Sequence, residues 1–516
     1  MPKSTSTLSI ATSIFMARTN ISLPFLIWGM MSAQNMSGTL LVTISIMAYV
    51  FTSLLFSPAW AKLPFRNDND FALHRFSGKG ARLLYLFRAF YVGGLVFTLV
   101  PAMLINGFVS YFEQLFPIVN QFGLIIICLF VLATAQITRI HVLLKTDKWL
   151  FLVVCLAFII SLIYLVLETD WQLVSLSFPI TPQSPIQWTD SFLYLFVIWW
   201  STKILDGSGQ DAQRLFHAKS IKSAIWASLI PIGFSVLFFN GVFLMGYLSW
   251  PLSALASRTE FWVLDVLQQL LPLPFYILLI LSLFFLFTST LSSLLDVGAT
   301  YVVGGMKEWR GKEISRAAVQ LYLSIVTVLL SFYFDSMESL FKYILGISAG
   351  VGPVFVLRWF IKRINAYTQL TAMIAAAVWF VFIDFSMPEE WYSSIETQFF
   401  LSAYAFKVIS VTLLTTITWL VTLFFTDKDS NEKTEHFFSF LSEIRTFQSR
   451  RQFLFIALLS SVVGFTFLGL SYSVPFIFAY SGWLAGLFIL VNGVLGFFLS
   501  KKIIDWIVKP RSEIGS

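Results

Sequence analysis

Long apolar runs separated by short polar breaks recur along the whole chain. They lie near residues 22–42, 44–62, 83–109, 118–138, 148–168, 190–206, 222–249, 272–302, 315–334, 338–361, 367–385, 404–425, 452–472 and 477–499. A helix needs about 20 such residues to cross a bilayer, so the pattern predicts about fourteen spans. The polar breaks alternate in charge. KLPFRNDNDFALHRFSGKGAR, TRIHVLLKTDK, RLFHAKSIK, KEWRGKEISR, KRINAY, residues 426–451 and the tail KKIIDWIVKPR carry most of the Lys and Arg, whereas ETDWQLVSLSFPITPQSPIQWTD and MPEEWYSSIE carry almost none. By the positive-inside rule the basic breaks are cytoplasmic, and both termini fall on that side. No cleavable signal peptide is expected: the run LSIATSIFMA is short and lacks a small-residue cleavage site. Residues 1–21 therefore read as a cytoplasmic segment preceding the first span.

Composition agrees with this class. Of 516 residues, 57% are hydrophobic and only 12% charged, against roughly 25% charged in a soluble domain. The 56 Phe and 17 Trp suit a lipid-facing surface with interfacial aromatic belts. The net charge of +7 is accounted for by the basic loops and does not point to nucleic acid. Cys128 and Cys155 sit inside apolar runs and read as packing residues. The four histidines show no ligand spacing, and no nucleophile–base pair occurs inside a span, so neither a metal centre nor an enzyme is expected. Residues 426–451, of mixed charge, read as a solvated connector in preference to a short amphipathic helix.

Polar groups inside a membrane are costly and mark candidate functional positions. Three interruptions stand out: MSAQNMSGT (31–39), WWSTKILDGSGQDAQR (199–214) and FTSTLSSLLDVGAT (287–300). The first either unwinds, exposing carbonyls to a cation, or is a small-residue packing face. The third offers hydroxyls at Thr288, Ser289, Thr290, Ser292 and Ser293, which either bond back to the preceding turn or complete an oxygen shell around a hard cation. Asp296, further along, reads as a solvated vestibule carboxylate. In the second interruption Lys203 admits three roles: an ion pair with Asp206, an anchor for a substrate carboxylate, or a stand-in for a second cation. The ion pair with Asp206 is the leading one.

Several of these segments resemble the sodium/solute symporter family. SLPFLIWGMMSAQNMSG (22–38) is similar to that family's broken first core helix. DFALHRFSGKGARLLYLFRAFYVG (70–93), LLKTDKW (143–149), GQDAQRLFHAKSIKSA (209–224), TSTLSSLLDVGATYVV (288–303) and LGISAGVGPVFVLRWFIKRINAYTQLTAM (345–373) resemble further family blocks, in the same order. The resemblance implies an all-α polytopic membrane protein with a five-plus-five inverted-repeat core. Its first repeat is 22–168 and its second is 190–361, joined by an extracytoplasmic loop at 169–189 and followed by accessory helices over 362–516.

The same resemblance implies sites. Na⁺ would be held by the carbonyls of Ala33, Met36 and Leu286 and the hydroxyls of Ser289 and Thr290. Asp147 corresponds to a carboxylate on the sodium exit path, although its residues alone also allow a loop salt bridge with Lys145 or Lys148. Substrate would meet Asn35 and Ser37 from the first break and Trp199, Ser201, Thr202 and Lys203 from the second. Trp199 and Trp200 are equally readable as packing or interfacial aromatics. Gln213 and Arg214 would brace the helix exit without touching substrate. Leu40 stands where sugar-binding members carry a polar residue, which argues against a sugar. The implied activity is sodium-coupled symport of a small organic solute across the cell (inner) membrane, with Na⁺ as coupling ion and no other cofactor or metal. The alternative is a transporter-derived sensor or scaffold that binds without transport.

Overall fold

The first helix, α1 (Thr7–Arg18), has only 12 residues. At 1.5 Å per residue it spans about 18 Å of a hydrocarbon core about 30 Å thick. Ser6 caps its start, accepting the Ser9 N–H at 3.1 Å, and the Thr19 N–H closes its end on the Phe15 carbonyl at 2.8 Å. Every residue from Ile10 to Thr19 is buried. A second helix, α2 (Ser22–Ser32), continues the run, and Thr7–Gly29 is long and apolar enough to cross a membrane. This corrects the expectation that residues 1–21 precede the first span. A half-helix of 12 residues escapes a 20-residue length rule, and its Ser, Thr and Arg residues dilute the apolar signal.

The computed structural model describes residues 5–19, 22–32, 48–65, 67–115, 120–137, 139–168, 205–255, 261–333, 337–388, 401–427, 429, 431–449, 451–459 and 461. After α2 come a π-helical turn, Thr52–Phe56, and α3 (Ser57–Lys62). The short α4 (Phe71–Arg75) leads to α5 (Gly78–Phe87), which passes through a nine-residue π stretch, Arg88–Val96, into α6 (Phe97–Leu115). Then follow α7 (Asn120–Ile137), α8 (Ile140–Glu168), α9 (Gln210–Leu215), α10 (Ile221–Ser249), α11 (Trp262–Leu270) and α12 (Leu273–Arg310). The remainder is α13 (Arg316–Ser331), α14 (Met337–Gly346), α15 (Gly352–Leu357), α16 (Ala366–Ser386), α17 (Ala403–Phe425) and α18 (Glu432–Ser442). Among the described residues there is no strand, and seven helices have the length and composition of membrane spans. The outer face of α8 shows why water is the wrong solvent. Trp149, Leu152, Leu156, Ile159, Ile163 and Leu167 are all exposed along it, an apolar stripe suited to lipid.

The 38-residue α12 is the axle of the bundle. It starts after Pro272 with Pro274 in its first turn, where a missing N–H costs nothing. It stops at Gly311, whose φ of 68° suits only glycine and whose N–H caps the Lys307 carbonyl at 2.8 Å. Around it pack α8, the π stretch, α6, α7, α13 and the buried half-helix α1, which itself lies between α10 and α8. At the π stretch small residues face one another. A Cβ placed on Gly298 would lie 2.7 Å from the Gly93 carbonyl oxygen, and one on Gly305 would lie 2.4 Å from the Ala89 Cβ.

At the end of the bundle that carries Lys307 and Arg310, short elements cover the core. Arg75 is buried and works as a clamp on the turn after α15. Its Nε donates to the Arg358 carbonyl at 3.1 Å, and its Nη2 reaches the carbonyls of Ile361 and Ile364 at 3.2 and 3.3 Å. Thr434 of α18 in turn donates its hydroxyl to the Arg75 carbonyl at 3.2 Å, and Ser77 donates to Asp429 at 2.6 Å. The segment 426–451, expected to be a solvated connector, thus contains a helix that joins the core. Its Phe437 and Leu441 are buried there, and Phe447 stacks on Trp359 and Phe360. Three aromatic and aliphatic side chains on a charged sequence outweigh its polar composition.

Gly305→Ala should therefore overpack the α12 contact and cost about 1–3 kcal/mol. Gly233→Ala, in a helical position with nothing within 4 Å of the added methyl, should leave thermal unfolding in detergent unchanged or raise its midpoint. Equal losses at the two positions would refute this account of the packing.

Candidate functional site

Three sequence-predicted residues meet in one place. Asp147 on α8 is fully buried and accepts two hydroxyl hydrogen bonds. Ser13 of α1 donates to its Oδ2 at 2.5 Å, and Ser289 of α12 donates to its Oδ1 at 2.7 Å. One residue further along α12, Thr290 donates to the Met16 carbonyl of α1 at 3.2 Å. Leu286, buried a turn before, completes this stretch of α12. An oxygen-rich cluster of side-chain and main-chain groups thus lies where α1, α8 and α12 converge. Lys145 and Lys148 are exposed and turned away, so the structure brings Asp147 to the hydroxyls and not to a loop salt bridge.

A guanidinium borders this cluster. Arg214 of α9 is fully buried. Its Nε donates to Ser13 Oγ at 2.9 Å, its Nη2 to Ser293 Oγ at 2.9 Å and its Nη1 to the Gln210 carbonyl at 3.1 Å. Ser293 also accepts from Gln210 Nε2 at 3.0 Å. Arg214 therefore faces Asp147 across a shared serine, a relayed ion pair that offsets the carboxylate without occupying both of its oxygens. It does brace the helix, as expected of it, but it also belongs to the cluster. Ser13 and Met16 were not among the sequence-derived candidates, whereas Ser293 was one of the hydroxyls noted in the third interruption. The signal for Ser13 and Met16 was present in LSIATSIFMA, whose hydroxyls sit in a run too short to be read as a span.

The half-helices α1 and α9 are tied end to end. Arg18, in the last turn of α1, pairs with Asp211, in the first turn of α9, at 2.8 Å, and its guanidinium stacks over Tyr49 at 4.0 Å. Acid at a helix start and base at a helix end also suit the two helix dipoles. Before α9 the chain turns at Gly207 and Gly209, with φ of 77° and 98°. A Cβ on Gly207 would lie 2.4 Å from Thr52 Cγ2. The turn is held from the second span: Thr52 donates to the Leu205 carbonyl at 2.9 Å and Trp60 Nε1 to the Asp206 carbonyl at 2.5 Å.

Asp206 has a partner that the sequence did not point to. Arg358 meets it at 2.6 Å with both side chains fully buried, and Trp359 Nε1 donates to the same oxygen at 2.9 Å. Lys203 lies outside the described residues; a partner about 150 positions away, which local spacing cannot reveal, holds the carboxylate. Asp296 likewise departs from expectation. It is buried, not solvated, and Arg316 of α13 closes on it. Of the other candidates, Ala33, Met36, Asn35, Ser37, Trp199, Ser201 and Thr202 lie outside the described residues.

A long all-α bundle with a broken first helix, a glycine turn before a second half-helix and an oxygen cluster between them defines a class, the inverted-repeat membrane transporter fold. Comparison with solved structures places the chain there. It superposes on a Na⁺-coupled sialic acid symporter in a substrate-bound, outward-open state with a TM-score of 0.62 and 13% identity, covering 82% of this chain and 91% of that one. Weaker similarity extends to the nucleobase-cation-symport-1 family transporter Mhp1 in a closed conformation with bromovinylhydantoin bound (TM-score 0.48, 14% identity, 84% and 96% covered). It extends also to a manganese transporter from Eremococcus coleocola (TM-score 0.39, 12% identity, 96% and 95% covered). No protein-family model and no curated protein matches the chain. The fold is that of the symporter: an all-α polytopic membrane protein with a five-plus-five core and accessory helices.

Removing one partner of the Asp206–Arg358 pair leaves a buried uncompensated charge. Arg358→Gln should lower stability by about 3–5 kcal/mol, and adding Asp206→Asn should recover much of that loss. Thermal unfolding of the single and double variants checks this; an equally large loss in the double variant would show that the pair is not the cause.

Proposed function

We propose that this protein is a secondary active transporter that couples Na⁺ entry to uptake of a small organic solute by alternating access. The observation that carries this reading is the buried oxygen cluster between α1, α8 and α12, set in a fold that a Na⁺-coupled symporter shares. Hydroxyl and carbonyl oxygens suit a hard monovalent cation. Ser289 and Thr290 keep lone pairs after donating their protons, the Met16 carbonyl faces them, and Asp147 supplies charge already half-balanced by Arg214. Such a site binds and releases, as a coupling ion requires. In this reading the carbonyls of Leu286 and Met16 join the hydroxyls of Ser289 and Thr290, and Asp147 lies on the ion's path. Ala33 and Met36 stay candidates for the rest of the shell, and Asn35, Ser37, Trp199, Ser201, Thr202 and Lys203 for solute contacts.

The geometry also supports coupling. A cation between α1 and α12 stabilises the arrangement in which those helices meet. Because Arg18 and Asp211 tie α1 to α9, a change at the ion site reaches the glycine turn beside the second break. A ligand shifts such an equilibrium only by its differential affinity for the two states. The orientation that fits the charge pattern puts the Lys307 end and both termini in the cytoplasm, with the protein in the cell (inner) membrane.

Proteoliposomes should accumulate solute only with an inward Na⁺ gradient; uptake indifferent to Na⁺ would sink the coupling claim. Ser289→Ala, which removes one ligand oxygen, should raise the Na⁺ concentration for half-maximal uptake by about tenfold, equivalent to ~1.4 kcal/mol. An unchanged Na⁺ dependence would remove that residue from the site.

A further inference from the structure

The lipid-facing stripe of α8 ends in charge. At about 100° per residue, Lys145, Lys148, Trp149, Leu152 and Leu156 fall within an arc of about 100° on the helix surface, and all five are exposed. The stripe continues through Ile159 and Ile163 to Leu167. From Trp149 to Leu167 it is about 27 Å long, close to the ~30 Å of a hydrocarbon core. With that length in the core, Trp149 stands at the interface and the two lysines just beyond it, level with the lipid headgroups. Lys148 Nζ lies 5.6 Å from the Trp149 ring centroid, which keeps an ammonium beside the apolar stripe.

These two cations are not used by the protein itself. The start of α8 lies at the end of the bundle where α13 begins, with the exposed Arg139 near the Arg316 guanidinium. Other basic residues at that end have partners: Arg82 pairs with Glu308, Lys307 with Glu313 and Lys362 with Glu435, and Arg363 donates to the Leu423 carbonyl at 2.9 Å. Among the described residues neither Lys145 nor Lys148 has an ion-pair or hydrogen-bond partner. The carboxylate adjoining them in sequence, Asp147, is turned about 160° from Lys145 and is held by Ser13 and Ser289. Two ammoniums above an apolar stripe complement a partner that is both anionic and acylated. A free anion would gain only the lysines, and a zwitterionic headgroup offsets its phosphate with a cation of its own.

We infer that the Lys145 end of α8 is a binding site for an anionic phospholipid, its phosphate on Lys145 and Lys148 and an acyl chain along Leu152 and Leu156. The site is on the lipid face and uses no residue of the ion cluster, so it stands or falls separately from Na⁺ coupling.

The test is photocrosslinking of the full-length protein in liposomes of equal parts dioleoyl phosphatidylglycerol and dioleoyl phosphatidylcholine. Leu152 is replaced by p-benzoylphenylalanine, and the lipid adducts are read by mass spectrometry. Leu420, exposed on α17 a few residues from the Leu423 carbonyl that Arg363 occupies, carries the same photoreactive group as a control. Phosphatidylglycerol adducts should exceed phosphatidylcholine adducts by about fivefold or more at position 152, and the two should be nearly equal at position 420. Lys145→Gln combined with Lys148→Gln should bring the ratio at 152 down to that at 420, whereas Lys145→Arg with Lys148→Arg should preserve the excess. Both pairs are exposed substitutions, and an unchanged thermal unfolding midpoint shows that the fold is retained. Equal adducts at 152, the same excess at 420, an excess that survives the glutamines, or adducts to a second protomer in place of lipid would each overturn the assignment.

Discussion

An arginine taken out of water into a membrane protein must meet a carboxylate, or like Arg75 a set of carbonyls, or lose several kcal/mol of hydration. Four buried arginines here meet a carboxylate, and their partners lie on other segments of the chain: Arg18 with Asp211, Arg88 with Asp68, Arg358 with Asp206, and Arg214 with Asp147 through Ser13. Such pairs add little net stability compared with well-packed apolar groups of the same volume. What they do is reject alternatives, since any arrangement that separates partners strands two charges in a low-dielectric interior. The positions of the two half-helices and of the glycine turn follow from which carboxylate each guanidinium found, and the cover over the Lys307 end follows from the carbonyls that Arg75 found.

Packing supplies what charge does not. The π stretch in the third span and the glycines of α12 let two backbones approach until an added methyl group would overlap its neighbour. That closeness leaves Arg88 facing inward at the first residue of the π stretch, and it places Tyr301 beside it. One close contact between two helices therefore shapes both the axle of the bundle and the surroundings of the Arg88–Asp68 pair.

Much of this was legible in the residues. Hydroxyls at 288–293 inside an apolar run announced a polar face, and three of those positions, Ser289, Thr290 and Ser293, do turn to the cluster. Asp147 was marked by its place in KTDK. The glycines at 207 and 209 announced a turn. What could not be read is pairing across distance: nothing near Asp206 names Arg358, and nothing near Asp296 names Arg316. The first half-helix was missed for a different reason. A length rule presumes that a span crosses the whole bilayer, and a broken span offers only half the run, with the hydroxyls of its polar face lowering the apolar count. In α18 the apolar side chains are too few to mark a buried helix, yet they suffice once Arg75 gives them a surface to join.

The Arg75 clamp carries a mechanical implication. From Thr434 the contacts pass to the Arg75 backbone, from its side chain to the Arg358 carbonyl, and from the Arg358 side chain to Asp206 at the turn before α9. The stretch after α17 is thereby strung to the turn before α9 by an unbroken series of contacts, although it lies far away in the chain. Anything that pulls on α18 pulls on the glycine turn before α9.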